Sequence, residues 1–161
     1  DMLRAARPQT RKPLIAKLSP DVTDPRPVAI AAQRAGADIL SLVNTFTGMS
    51  LDPATRRSRL GALTGGLSGP AIRPLAVYRV WLVRQAVTCP IIGLGGVASG
   101  LDAAEFLIAG ASAVAVGTAT FAHPASPVRV LDGLARFLER QRIATVRELV
   151  GTLHEDAPAA N

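Results

Sequence analysis

Four short runs of apolar residues divide the chain, and each has the length of a buried strand. They cover residues 13–18, 38–44, 90–94 and 113–117. Continuous apolar runs, unlike alternating ones, are typical of parallel strands that are covered on both faces. The pattern therefore predicts a parallel sheet that is buried between other elements.

The segments between these runs carry helical spacing and helix-terminal residues. One helix is predicted to begin at Asp24 and Pro25 and to end at Gly36, because Asp caps a first turn and Gly ends a last one. A second is predicted from Pro70 to about Val87. Its core-facing positions are predicted to be Leu75, Val77, Val80, Trp81 and Val83.

Three further helices are predicted from their first residues. Ser99, with Asp102 three residues later, predicts a capped helix that ends at Gly110. Another is predicted to open at Ser126-Pro127 and to run to about residue 140, and a last short one to begin at Thr145 with Glu148 as its capping partner. Residues 156–161 are expected to be a frayed tail.

Strands that alternate with helices in this way indicate an α/β fold. Residues 35–38 (AGAD) and 109–112 (AGAS) also form a weak repeat, in which a helix ends on glycine just before a strand. Stacked βαβ units of this kind make half of a (β/α)8 TIM barrel, which needs about 250 residues when complete. We therefore expect residues 1–161 to be a single domain and a fragment of such a barrel. A four-stranded open α/β sheet is the competing architecture.

Composition and charge exclude several classes of function. The net charge is +6, but only Lys12 and Lys17 are lysines, the arginines are scattered, and aromatic residues make up 4%; this argues against a base-stacking surface for nucleic acid. No apolar run approaches the ~18 residues that a membrane span needs. A single cysteine, Cys89, excludes an internal disulfide framework. Together these features favour a cytoplasmic protein with no membrane or nucleic-acid partner.

Polar residues at the carboxyl ends of the predicted strands are the candidate chemistry, because parallel α/β folds gather their sites there. Lys17 stands within an apolar strand, where burial is costly unless an anion meets the charge. Asn44 and Thr45 end the next strand, and an amide offers a donor and an acceptor to a planar polar ligand.

Glycines follow the third and fourth strands and predict a phosphate site. Gly95-Gly96 and Gly117-Thr118 stand where the loops of a barrel usually bind phosphate. The long segment 45–69 has little periodicity and is expected to be functional. Its last residues, Ser68 and Gly69, lead straight into a helix and are expected to contact a ligand.

The positions of the cysteine and the histidines argue against a catalytic thiol and a metal site. Cys89 precedes a strand, at the end of the sheet away from the chemistry, so it is not expected to be catalytic. His123 and His154 lack ligand-spaced companions, so no metal site is expected. His123 is expected on a loop surface, with a position near the phosphate end of the site as the alternative.

These strand ends together resemble the dihydroorotate dehydrogenase family, most closely the class 1B catalytic subunit. The similarity covers about residues 12–153. The matching stretches are KLSP at 17–20, AGAD at 35–38, NTFTGM at 44–49, TGGLSGPAIRP at 64–74, PIIGLGG at 90–96, AGASAVAVGTA at 109–119 and FAHP at 121–124.

The resemblance implies a flavin-dependent (β/α)8 barrel that oxidises dihydroorotate to orotate in pyrimidine (UMP) biosynthesis. It places Lys17 beside the pyrimidine ring of FMN, where a positive charge stabilises the anionic reduced flavin. The FMN-binding positions of the family match Lys17, Val43, Gly69, Gly95, Gly96, Gly117 and Thr118. Asn44 and Thr45 match the motif that binds orotate.

One large departure concerns the catalytic base. The family's base is a cysteine on a loop of the first half-barrel, and no matching segment occurs in this chain. The chain therefore resembles the C-terminal half of the enzyme, with no catalytic residue of its own, and is expected to be inactive alone. The resemblance also implies an iron–sulfur flavoprotein subunit that passes electrons to NAD.

Two alternative functions also fit these residues. One is another FMN- or phosphate-binding barrel, such as a domain like that of dihydropyrimidine dehydrogenase. Another is a non-catalytic half-barrel, which would expose two sheet edges and is expected to form a homo-oligomer.

Overall fold

The centre of the protein is a four-stranded parallel sheet, seen in a computed structural model that describes residues 2–154. Its strands are β1 (Ile15–Lys17), β2 (Ile39–Leu42), β7 (Ile91–Leu94) and β8 (Ala113–Ala115), in the order β1-β2-β7-β8. Ile15 pairs with Ile39, Leu40 with Ile91, and Ile92 with Ala113. The predicted α/β class and parallel sheet are confirmed, with strands shorter than the apolar runs.

Four helices connect or cover these strands. They are α2 (Arg26–Arg34), α3 (Arg73–Arg84), α4 (Gly100–Ile108) and α6 (Ser126–Gln141), with two short ones, α1 (Met2–Ala6) and α5 (Ala119–Ala122). The core lies between the sheet and these helices, where Leu40, Val80, Val83, Ile91 and Phe106 are fully buried. Burial of these large side chains, each contributing ~1.5–3 kcal/mol, is the main force that holds the helices on the sheet.

The edge strands are less covered than the sequence predicts. Ile15 in β1 remains 52% exposed and Lys17 is also exposed, so the expectation that Lys17 is buried among apolar side chains is wrong. The reason is topological: among the described residues β1 pairs only with β2, and its outer edge has no neighbouring strand.

The segment predicted as an aperiodic loop, residues 45–69, is a nested antiparallel arm. Strand β3 (Phe46–Gly48) pairs with β6 (Gly65–Leu67), and β4 (Leu51–Asp52) pairs with β5 (Arg57–Ser58) between them. The arm is tied to the loop after β1, because Asp21 accepts hydrogen bonds from the Thr47 amide and hydroxyl. The first residues after β2 are thereby held at the carboxyl end of the sheet.

Helix boundaries follow the sequence where local chemistry sets them. Ser99 and Asp102 form the predicted capping box at the start of α4. The cap predicted at Asp24 is wrong by one residue: Pro25 is the N-cap of α2, and the Asp24 carboxylate, one position before it, accepts from the Arg26 amide at 2.9 Å.

Two further helix expectations need correction. The segment predicted as one helix from Pro70 to Val87 is a 3-10 turn (Pro70–Ile72) followed by α3, and Leu75 is exposed. At Thr145 only a 3-10 turn (Val146–Glu148) forms, and the Thr145 hydroxyl bonds the Glu148 side chain while it caps no backbone amide. The tail 156–161 lies outside the described residues.

The repeated glycines at 36 and 110 share one structural role. Both adopt positive φ, at +94° and +110°, and a side chain at either would collide with an arginine, Arg7 or Arg84. Arg7 also pairs with Asp38, and the pKa of the Asp38 carboxyl is lowered by its hydrogen bonds from the Leu14 amide and from Arg7. The repeat therefore marks the tight helix-to-strand turns at the amino end of the sheet.

Helices α4 and α6 pack backbone against backbone at Gly100 and Gly133. A Cβ on Gly100 would lie 2.2 Å from the Gly133 carbonyl carbon. Gly100→Ala is therefore expected to lower the free energy of unfolding by ~1–3 kcal/mol, as overpacking does. Gly61→Ala is the control, because a Cβ there meets nothing within 4 Å.

The free energy of unfolding is measured by urea denaturation of the intact polypeptide that contains these residues. Equal stability of the Gly100→Ala and Gly61→Ala variants would contradict this account of the α4–α6 contact.

Candidate functional site

A cavity of about 590 Å³ opens at the carboxyl end of the parallel sheet. Its volume lies within the range of small-molecule sites. All nine residues singled out from the sequence as flavin or substrate contacts line it: Lys17, Val43, Asn44, Thr45, Gly69, Gly95, Gly96, Gly117 and Thr118. Segments distant in sequence are thus brought to one place, as expected for the ends of neighbouring parallel strands.

Lys17 is the only lysine or arginine among the described residues that line this cavity. It is the last residue of β1, so its side chain stands where the sheet meets the cavity. With no ion pair to it among residues 2–154, its charge is available to a ligand. The cavity therefore favours an anionic or electron-rich group near β1.

Asn44 and Thr45 follow β2 and are placed by backbone bonds and by the arm. The amide of Asn44 donates to the Leu18 carbonyl at 3.2 Å, and that of Val43 to the Leu94 carbonyl at 2.8 Å. Thr45 packs so closely on Gly66 that a Cβ there would lie 2.3 Å from the threonine Oγ1. The arm thus restricts Thr45, while the side-chain amide of the exposed Asn44 remains free for a ligand.

The two predicted glycine turns bring unpaired backbone donors to the cavity. Within residues 2–154, the amides of Gly95, Gly96, Gly117 and Thr118 donate to no protein acceptor. Gly95 and Gly96 have φ values of +129° and +77°, a conformation that glycine adopts without strain. Unpaired amides on glycine turns are the usual cradle for a phosphate group.

The segment at Gly69 joins these turns. Gly69 is buried, has a φ of +88°, and leads into the 3-10 turn that precedes α3. A Cβ at Gly96 would lie 2.7 Å from the Gly69 carbonyl oxygen, and one at Gly69 would lie 4.0 Å from Thr118 Cγ2. Three segments that follow different strands therefore meet at the same corner of the cavity.

Sequence reasoning missed one wall of the cavity, which α5 and the residues after it form. Phe121 lines it while 91% exposed. His123 lies on an exposed loop, as expected, and also lines the cavity. Ser126 Oγ lies 2.6 Å from the His123 carbonyl oxygen and holds this wall in place. The sequence signal for this wall was the stretch FAHP, which the resemblance included, together with the alternative position of His123 near the phosphate end.

Two negative expectations can be compared with the structure. Cys89 lies before β7, at the opposite end of the strand from the cavity, and burial raises the pKa of its thiol. A raised pKa reduces the thiolate that a nucleophile or base requires. No group of three potential metal-binding side chains occurs in the part of the chain that the structure describes, and no helix there is long and apolar enough to cross a membrane.

The same chain is similar to proteins of one family. A family model described as dihydroorotate dehydrogenase matches residues 1–138. The dihydroorotate dehydrogenase B (NAD(+)) catalytic subunit of Pelobacter propionicus is 52% identical over 94% of this chain. A relative from Solibacter usitatus, provisionally named dihydroorotate dehydrogenase A (fumarate), is 54% identical over 95% of it.

A solved structure agrees with these relatives. DHODH from Eimeria tenella, in complex with ferulenol, superposes with a TM-score of 0.74 at 34% identity over 89% of this chain and 39% of its own. This chain spans about half the length of the curated relatives, 50% in both cases above. The four-stranded sheet is accordingly half of a TIM barrel, and the chain belongs to the dihydroorotate dehydrogenase family.

Proposed function

We propose that this chain carries the flavin-binding half of a dihydroorotate dehydrogenase, the C-terminal half of its barrel. In this proposal the cavity holds FMN and part of the orotate site, and the complete enzyme oxidises dihydroorotate to orotate in pyrimidine biosynthesis. The observation that carries the proposal is the group of unpaired amides at Gly95, Gly96, Gly117 and Thr118, gathered in a cavity that Lys17 also lines.

The residues present fit a flavin mononucleotide. A phosphate needs several donors in a concave site, and the glycine turns supply four amides that no described residue uses. The cavity's remaining surface is mostly apolar and includes Val43, Ile72 and Leu94, which suits a flat aromatic ring. When bound, FMN supplies the two-electron acceptor for the oxidation.

Lys17 has an electrostatic role in this proposal. Its ammonium group favours negative charge at the β1 side of the cavity and donates hydrogen bonds to ring oxygens or nitrogens. Lys17 is exposed, so water weakens this electrostatic effect wherever β1 is uncovered. Any chain that covers the outer edge of β1 strengthens it.

Asn44 and Thr45 are proposed to orient the substrate. The Asn44 side chain offers both a donor and an acceptor, which matches the alternating carbonyl and N–H groups of a pyrimidine ring. Neither side chain removes a proton at neutral pH. The base that takes the second proton of dihydroorotate is therefore proposed to come from residues outside this chain.

The electron acceptor is proposed from the relatives. One relative is named for NAD(+) and as a catalytic subunit, which implies a further subunit, and another is named for fumarate. We propose NAD through an iron–sulfur flavoprotein partner, as the resemblance to class 1B implies.

Binding of FMN is the direct test, and the chain has a matched pair of lysines for it. Lys17→Ala is expected to weaken FMN binding by roughly tenfold, or about 1.4 kcal/mol, because a cavity charge is lost. Lys12→Ala is the control, since that exposed lysine lies outside the cavity. The dissociation constant is measured by quenching of flavin fluorescence with the intact polypeptide that contains these residues. Protein that binds no FMN would overturn the proposal.

Orotate binding separates this proposal from another phosphate-binding barrel. In FMN-loaded protein, orotate is expected to raise the unfolding temperature by mass action, and Asn44→Ala is expected to weaken orotate roughly tenfold while FMN affinity stays unchanged. Gln9→Ala, in an exposed 3-10 turn, is the control. Thermal protection by orotate that Asn44→Ala leaves unchanged would contradict the substrate role of Asn44.

A further inference from the structure

An ion pair between the half-buried Arg73 and the buried Asp102 lies behind the Gly95-Gly96 turn. Arg73 is the first residue of α3, and its Nη1 donates to Oδ1 of Asp102 in the first turn of α4. Asp102 is only 6% exposed. The pair joins two helices that follow different strands and lines neither the cavity nor its mouth.

Asp102 holds the chain that leaves the glycine turn. Its Oδ2 accepts hydrogen bonds from the Ala98 amide at 2.9 Å and the Ser99 amide at 2.8 Å. These amides lie two and three residues after Gly96. One carboxylate therefore binds the turn's exit through Oδ2 and the arginine through Oδ1.

Arg73 holds the opposite side of the same turn. A Cβ on Gly96 would lie 2.9 Å from both the Arg73 nitrogen and the Arg73 Cβ, and 2.7 Å from the Gly69 carbonyl oxygen. Glu105 Oε2 lies 3.2 Å from Arg73 Nε and adds a second acidic neighbour. The Gly96 turn is thus enclosed by the Gly69–Arg73 segment, which the arginine links to Asp102.

We propose that Arg73 and Asp102 are positioning residues that fix the Gly95-Gly96 turn against the Gly69 segment, so that the turn's amides stay aligned for the phosphate group of a mononucleotide. This inference rests on the proposed function. Neither residue contacts the ligand. They act because a carboxylate that is paired and bonded to two amides keeps one geometry, and phosphate binding depends on where those amides stand.

The role of the pair is tested by comparing the affinities for FMN and riboflavin, because riboflavin has the ring of FMN but no phosphate. Arg73→Gln is expected to weaken FMN binding by about tenfold and riboflavin binding by less than about twofold. Arg73→Lys is expected to restore part of the loss, because it keeps a charge near Asp102. Arg7→Gln, which breaks the distant Arg7–Asp38 pair, is expected to change neither affinity.

Both dissociation constants are measured by fluorescence quenching in the intact polypeptide, with thermal unfolding recorded without ligand. If Arg73→Gln does not fold, Asp102→Asn provides the second test. It keeps an oxygen for the Ala98 and Ser99 amides but removes the charge that faces Arg73, and the same loss for FMN alone is expected.

Each outcome of these measurements either supports or overturns the inference. Equal weakening of FMN and riboflavin would overturn the inference and leave a merely structural pair, as would unchanged affinity for both. Failure of the unsubstituted protein to bind FMN is a different result, which would overturn the proposed function itself.

Discussion

The missing side chain at Gly96 is the constraint on which the corner of the cavity depends. No Cβ fits there, because the Gly69 carbonyl and the backbone of Arg73 occupy the space. This close contact brings the segment that leads into α3 against the turn after β7. Thr118, which follows β8, lines the same corner of the cavity. The four unpaired amides lie close together because these segments touch. The proposed phosphate site therefore depends on the close packing at Gly96.

Much of this arrangement could be predicted from the sequence, because it depends on local chemistry. The capping box at Ser99 and Asp102 needs only two residues three apart, and it forms. Gly36, Gly69, Gly95, Gly96 and Gly110 all have positive φ, the conformation for which glycine is chosen at turns. The parallel sheet then brings together residues that the sequence places at strand ends.

The remainder depends on contacts between segments distant in sequence. The arm at 46–67 has too few apolar alternations to be predicted, and it forms because β3 meets β6 and Thr47 meets Asp21. The Arg73–Asp102 pair joins residues 29 apart, and no local spacing rule predicts a contact over that distance. The cavity wall at Phe121 was not predicted, because its position depends on Ser126 and on a four-residue helix.

The wrong expectation about Lys17 shows how burial and function are connected at an edge strand. The apolar run around Lys17 predicts that it is buried, yet β1 has only one neighbour among the described strands and leaves Ile15 half exposed. An exposed lysine costs nothing and by itself implies no ligand. A chain that covered β1 would bury Ile15 and reduce water around Lys17, which raises the cost of an unpaired charge. Under the proposed function, closure of the barrel would therefore create the need for an anion at Lys17, and flavin affinity is expected to rise when this sheet edge is covered.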